Sequence, residues 1–311
     1  MEPRLEAIVR EVEKAVTGKR GVIEKTLMAL LAGGHILLDD VPGVGKTTLA
    51  VALSKTLGLR YRRIQFTPDV LPSDIVGFSM YDKGTENLRY VPGVVSDANL
   101  LLGDEINRTS SKTQSALLEA MEERQVTVDG TVHPLGTPFC VIATQNRVGT
   151  AGTQPLPHAQ LDRFLVQLSI GYPDLESQMA IIRDRQTENP LDAVSQAASR
   201  EDVCRMQREV LEVTMKGAIV SYIARLAEAS RGHALLALGV SPRGAISLSR
   251  MARACAFLNG RDYVIPEDVR SVFADTCAHR VLLSQKAKIE KADERAVMED
   301  LLKTVRLPHA L

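Results

Sequence analysis

Tryptophan is absent, and the four cysteines, Cys140, Cys204, Cys255 and Cys277, are scattered with no close pair. That spacing argues against a disulfide framework and against a zinc site, leaving reduced, buried thiols as the plainer reading. The six histidines show no ligand spacing either. Neither pattern suggests a metal held by these side chains. No apolar run approaches the roughly 18 residues of a membrane-spanning helix. Residues 1–13 alternate charged and apolar side chains at helical spacing and lack a signal-peptide core. A cytoplasmic protein with no membrane insertion is expected. Charge of one sign is also missing, because 38 basic residues match 38 acidic ones. Divided at Tyr172, the two parts hold 18 basic against 19 acidic residues and 20 against 19. Neither part has the positive excess of a dedicated nucleic-acid binder. No internal repeat or low-complexity segment is visible.

What is present is a hydrophobic fraction of 45% over 311 residues, enough for a substantial core in two domains or one large one. The chain is organised around residues 36–48. The apolar run Ile36-Leu37-Leu38 ends in turn chemistry, and a helix-period stretch over residues 49–57 follows. Strand, glycine loop and helix in that order is the setting a phosphate-binding loop requires. Gly43 and Gly45 let the backbone bend so that successive N–H groups point at an anion. The helix start near Lys46 adds its positive end to the same spot. Lys46 would reach the outer phosphates, and the Thr47 hydroxyl would complete a magnesium shell. Asp40 stands where the usual pattern has glycine. On its own, Gly45-Lys46-Thr47 also fits an ordinary helix start.

Helices are predicted over residues 5–16 and 20–32, and a second strand over 61–66. Pro68, Pro72, Ser73 and Asp74 mark a loop leading into a short helix. Residues 78–93 read as an irregular insertion broken by Gly84, Asn87 and Pro92. The second anchor is Leu100-Leu101-Leu102-Gly103-Asp104-Glu105, a buried strand ending in two acids 58 residues beyond Lys46. Such a pair suits a Walker B strand, with Asp104 holding magnesium through its waters and Glu105 polarising the attacking water. An acidic turn after a core strand is the plainer alternative. Ser110 or Ser111 can cap the next helix, whose apolar face is Ala116, Leu117, Ala120 and Met121. Residues 125–133 alternate around Asp129-Gly130, a hairpin signal. A third buried strand over 139–143 ends in Thr144-Gln145-Asn146, where an amide is placed to sense a terminal phosphate. A last strand covers 165–170. From Pro173 the texture is helical, over 174–185, 200–209, 216–231, 243–259, 266–279 and 287–304, with a flexible connection at 189–199.

Seven stretches share one likeness: Asp40-Val41-Pro42-Gly43-Val44-Gly45-Lys46-Thr47-Thr48, Gln65-Phe66-Thr67-Pro68-Asp69, Asp104-Glu105-Ile106-Asn107-Arg108, residues 112–123, Ala143-Thr144-Gln145-Asn146, Leu161-Asp162-Arg163-Phe164, and Ser241-Pro242-Arg243. Together they resemble the MoxR family of AAA+ ATPases, over almost the whole chain. The resemblance implies an α/β fold: a P-loop core over residues 1–172, with a doubly wound parallel sheet and nucleotide at the carboxyl ends of its strands. A smaller all-α lid would follow over residues 173–311. It also makes Asp40 ordinary, since that departure is common in the family. Arg147, where the family usually has proline, implies an altered turn after Asn146.

The resemblance assigns ATP and Mg2+ as ligands. The loop from Asp40 to Thr48 would hold phosphate, with Lys46 and Thr47 on phosphate and magnesium and Asp104 and Glu105 as Walker B. Asn146 resembles sensor 1, Arg163 the finger that acts on a neighbouring subunit's nucleotide, and Arg243 sensor 2. Val16 and Gly18 would sit near the adenine edge, and Gln65 would hold Glu105 away from water until a client engages. Phosphoryl transfer spreads negative charge over the terminal oxygens, so an arginine there is worth several powers of ten in rate. The plainer alternatives are an Arg163–Asp162 surface pair and an ordinary helix-surface charge at Arg243.

The expected protein is a homo-oligomer, a hexameric ring that remodels or assembles partner proteins. Relatives of this kind work with proteins carrying a von Willebrand factor A domain. A nucleic-acid motor of the same superfamily is the alternative, but the hairpin over 125–136 offers only His133, with acidic Asp129 at its tip. A nucleotide-gated binding module that hydrolyses little is a third reading. Asp104, Glu105, Asn146 and Arg163 argue against it.

Overall fold

The computed structural model describes residues 1–84, 86–146, 154–184 and 189–308. Arg147 and the turn it was expected to alter lie outside the described residues. Five parallel strands form the central sheet: β1 (Ile36–Asp39), β2 (Tyr61–Gln65), β5 (Leu100–Asp104), β8 (Cys140–Gln145) and β9 (Val166–Leu168). Their order across the sheet is β2-β5-β8-β1-β9. β1, β5 and β8 are buried on both faces, which explains why each reads as an unbroken apolar run rather than an alternation. β2 is an edge, and its Arg62 and Arg63 are exposed. The chain leaves β1 between β8 and β9 and crosses to the far edge, so the carboxyl end of β1 lies at a topological switch point.

Helices α1 (Pro3–Glu13), α2 (Arg20–Leu31) and α3 (Lys46–Thr56) cover one face of the sheet. α4 (Pro72–Val76) and α5 (Ser111–Glu123) cover the other. Ser110 is the cap of α5, its hydroxyl accepting from the Thr113 N–H at 3.3 Å. The hairpin expected around Asp129-Gly130 is β6 (Gln125–Val128) and β7 (Thr131–Pro134). Both tip residues have positive φ, 48° and 77°, as a two-residue hairpin turn requires.

After the short α6 (His158–Leu161) and β9, the rest is helical: α7 (Leu175–Asp184), α8 (Arg200–Glu212), α9 (Gly217–Arg231), α10 (Pro242–Leu258) and α11 (Pro266–Cys277). A two-stranded ribbon joins β10 (Leu236–Leu238) to β11 (Leu282–Leu283). This helical part does not hang from the core. One continuous apolar cluster runs from Leu5, Ile8, Leu27 and Leu30 to Val203, Met206, Leu248 and Met251.

Three expectations need correction. Residues 78–93 are not irregular but a regular antiparallel hairpin, β3 (Gly77–Asp82) with β4 (Asn87–Pro92). Phe78, Met80, Tyr81 and Leu88 are all exposed on it, so burial imposes no alternation for the eye to find. The predicted last helix is two, α12 (Gln285–Ile289) and α13 (Glu294–Thr304). Lys291 turns left-handed at φ 52°, and the Asp293 carboxylate caps α13 by accepting from the N–H groups of Arg295 and Ala296. The stretch 189–199 is strapped down rather than loose: Ser195 N–H donates to Glu11 at 2.9 Å, and the Ala197 and Ala198 N–H groups donate to the Thr56 carbonyl.

Candidate active site

The loop after β1 turns through Gly43 and Gly45, at φ 83° and 97°, and delivers Lys46 as the first residue of α3. A Cβ at either glycine would meet no protein atom, so the left-handed backbone, not space, calls for glycine there. Asp40 explains its own place in the loop. Its buried carboxylate accepts from the N–H groups of Ile170 and Gly171, fastening the loop to the segment after β9. Glycine could not make that tie. Lys46 is buried, and its ammonium donates to the Asp40 carbonyl at 3.0 Å and to Asn146 Oδ1 at 2.7 Å. Burial pulls its pKa down, while the carboxylates of Asp40, Asp104, Asp39 and Glu105 pull the other way. The Thr47 side chain follows in the first turn of α3.

Parallel pairing sets the acids beside the amide. Gly103 pairs with Ala143, so the next residues out, Asp104 and Thr144, are neighbours at the carboxyl ends of β5 and β8. The Thr144 hydroxyl donates to Asp104 Oδ1 at 2.6 Å and accepts from the Glu105 N–H at 2.9 Å. Glu105 itself has a left-handed backbone, φ 58° and ψ 50°, a conformation that costs a non-glycine residue about 1–2 kcal/mol and concentrates at functional sites. Its carboxylate accepts from Asn146 Nδ2 at 2.6 Å, Gln65 Nε2 at 3.1 Å and Arg108 Nη1 at 2.9 Å. Asn146 therefore bridges Lys46 and Glu105. Arg63 donates to the other Asp104 oxygen at 2.8 Å.

Beside the glycines lies a cleft of about 230 Å3 lined by Val16, Thr17, Lys19, Gly43, Gly45 and Thr48, closed by Tyr172 and α7. Gly18 does not line it. Its φ is 72°, and a Cβ there would lie 2.1 Å from Ser177 Oγ, so it serves the approach of α7. Among the described residues no group of three or more His, Cys, Asp or Glu could hold a metal by itself. The Thr47 hydroxyl and the oriented Asp104 carboxylate are hard oxygen donors of the kind magnesium takes when it arrives with phosphates.

Arg163 and Arg243 are not in this cleft. They line a separate pocket of about 320 Å3 with Glu122, Arg124 and Arg250. Arg163 Nε donates to Glu122 Oε2 at 2.9 Å, and the Arg243 guanidinium pairs with the same carboxylate. The alternative Arg163–Asp162 pair is not formed, because Asp162 is taken by Arg280. Sequence reasoning missed Arg63, Arg108, Glu122 and the Thr144 hydroxyl. Arg108, Glu122 and Thr144 lie within stretches that carry the likeness, Thr144 one residue past the expected third strand, whereas Arg63 carried no signal.

Residues 35–166 match the family model described as ATPase family associated with various cellular activities (AAA), and residues 228–301 match the AAA lid domain. The uncharacterized protein YeaC of Bacillus subtilis is 45% identical over 99% of this chain and 96% of its own length. Chaperone MoxR1 of Mycobacterium tuberculosis is 40% identical, covering 98% of this chain and 82% of that protein. The crystal structure of a candidate ATPase from Cytophaga hutchinsonii superposes with a TM-score of 0.91 at 40% identity, covering 99% of this chain and 96% of that one. With the glycine loop, the Asp104–Glu105 pair and the helical lid in place, the chain belongs to the MoxR family of AAA+ ATPases.

Proposed function

We propose that this ATPase couples ATP binding and hydrolysis to the remodelling or assembly of partner proteins, as a cytoplasmic hexameric ring whose clients include proteins with a von Willebrand factor A domain. The name of its mycobacterial relative, a chaperone, favours a protein client. The observation that carries the ring is the separation of the site into two parts. Lys46, Asp104, Glu105 and Asn146 converge at the strand ends, whereas Arg163 and Arg243 face a different pocket. A transition state at Lys46 would then draw its arginine from a neighbouring chain.

In this reading residues 1–172 form the ATPase core and 173–311 the lid. Backbone N–H groups of the glycine loop and the Lys46 ammonium hold the outer phosphates, and Val16 borders the adenine. Magnesium on Thr47 and Asp104 would neutralise phosphate charge. Glu105 orients and polarises the attacking water once Gln65 and Arg108 release it, and Asn146 reports on the terminal phosphate to both Lys46 and Glu105.

The chain has no tryptophan, so a fluorescent nucleotide analogue is the probe. Lys46→Ala should lose nucleotide affinity. Glu105→Gln should bind normally and turn over slower by orders of magnitude, because an amide accepts no proton. Arg163→Ala should also bind normally and lose about three powers of ten in rate or more. Mixed under verified subunit exchange, Glu105→Gln and Arg163→Ala should recover part of the activity, since some interfaces pair an intact Glu105 with an intact Arg163. A mixture as inactive as its components would exclude action across the interface.

A further inference from the structure

Arg280 is 2% exposed, the bulkiest side chain so deeply buried among the described residues. It ends the 3-10 turn Ala278–Arg280 behind α11, yet most of its hydrogen bonds leave the lid. Nε donates to Asp162 Oδ1 at 2.7 Å. Nη2 donates to the carbonyls of Asp162 at 3.2 Å and Phe164 at 2.6 Å, and Nη1 to that of Leu165 at 3.1 Å. Within the lid the same guanidinium meets Ser247 Oγ and the Thr276 carbonyl. Gly244 on α10 leaves room for it, since a Cβ there would lie 3.0 Å from Arg280 Cδ. Two more lid residues reach the same segment. Ser241 Oγ donates to the second Asp162 oxygen at 3.2 Å, and His279 Nε2 lies 3.1 Å from the Phe164 carbonyl.

These partners bracket Arg163, whose own side chain pairs with Glu122, the carboxylate that Arg243 of the lid also meets. A buried guanidinium is a costly way to join two units, because an apolar contact of the same volume is often as stable or more so. What a guanidinium adds is direction: five N–H donors in a planar fork fix the geometry of the groups that accept them. Here the accepting groups are the backbone and carboxylate immediately before and after Arg163.

We propose that Arg280 is a positioning residue for Arg163, fastening the segment Leu161-Asp162-Arg163-Phe164 to the lid of its own subunit. The arginine offered to a neighbour then moves with the lid, and lid closure over one nucleotide sets the aim at the next. The inference rests on the reading that Arg163 acts across the subunit interface.

Asp162→Asn tests it, keeping the shape of the side chain and removing the charge that answers Arg280. Nucleotide affinity, read with the fluorescent analogue, should stay within about twofold of the parent, while turnover should fall by about a hundredfold, the cost of misplacing a reacting group by about 1 Å. Asp162→Glu returns the carboxylate one methylene further out and should recover part of that rate. It also stands in if the first variant does not fold. The decisive measurement mixes either variant with Glu105→Gln subunits. The Asp162 variant keeps its own Walker B pair and receives a well-placed Arg163 from the Glu105→Gln neighbour, so activity should return, as with Arg163→Ala. If the Arg163→Ala mixture recovers and the Asp162 mixture does not, the defect lies in the variant's own site and the positioning role is overturned. If neither recovers, action across the interface fails and the inference fails with it. Parent-like turnover of Asp162→Asn overturns it directly.

Discussion

His35 shows how a single residue can answer to burial rather than to chemistry. It sits at the entrance of β1, 5% exposed, with Nδ1 accepting from the Val141 N–H at 3.0 Å and Nε2 donating to the Met121 carbonyl at 3.0 Å. The bond from Val141 requires an unprotonated Nδ1 and hence the neutral ring, whereas the Nε2–H bond to Met121 would survive protonation and only partly opposes the shift. Burial first, then the charges of Arg124 and Arg250, push its pKa down from 6.5 to about 3. The sign follows. Below pH 6.5 the unfolded chain binds a proton that the folded chain refuses until about pH 3, so stability is lost as pH falls through that window. The loss from this residue should reach about 2 kcal/mol at about pH 5. Urea unfolding at neutral and mildly acidic pH checks it, comparing the parent with His35→Gln. An equal pH dependence in the two proteins would show that His35 is not the group responsible. Asp40 and Gly18 make the same point from the other side. Both lie in segments whose pattern is legible, but what each side chain, or its absence, meets is set by Ile170, Gly171 and Ser177, distant in sequence.

Elements were legible where burial imposes a pattern and obscure where it does not. β1, β5 and β8 are buried on both faces, and each was readable as an apolar run ending in polar chemistry. The β3–β4 hairpin has no buried face to betray it, and its pairing depends on glycines. A Cβ on Gly93 would lie 2.2 Å from the Ile75 carbonyl. The same hairpin is tied to the second one by a stack of Tyr90 on His133, with ring centroids 3.8 Å apart, so the two hairpins form one surface. The misread final helix yields a test whose sign separates two structures. Were residues 287–304 one helix, Asp293→Ala would raise stability by a few tenths of a kcal/mol, alanine being the better helix former. With Asp293 as the cap of α13, the same change should lower stability by about 1 kcal/mol. Denaturant midpoints of the two proteins decide between them.

At the scale of the whole molecule, the change of texture at Pro173 suggested a boundary, and no local pattern could reveal how firmly the two sides are joined. The apolar cluster is continuous across it, from Leu5, Ile8, Leu27 and Leu30 through the sheet face to Val203, Met206, Leu248 and Met251. Polar ties follow the same seam. The buried Asp275 carboxylate of α11 pairs with Lys25 of α2 at 2.5 Å, and Gln207 of α8 donates to the Leu30 carbonyl at 2.7 Å. Exposing that seam would uncover apolar surface on both sides at roughly 25 cal/mol per Å2, leave Arg280 without the carboxylate of Asp162, and break ties that neither side can replace alone. Unfolding of the lid alone is therefore costly, and the chain should melt in one transition with calorimetric and van't Hoff enthalpies equal. Nucleotide at a hundredfold excess over its dissociation constant should move that whole transition upward, by about 2.7 kcal/mol of added stability. Two resolved transitions, only the earlier or only the later one responding to nucleotide, would mean that the lid folds as its own unit and that the shared core contributes little to holding it in place.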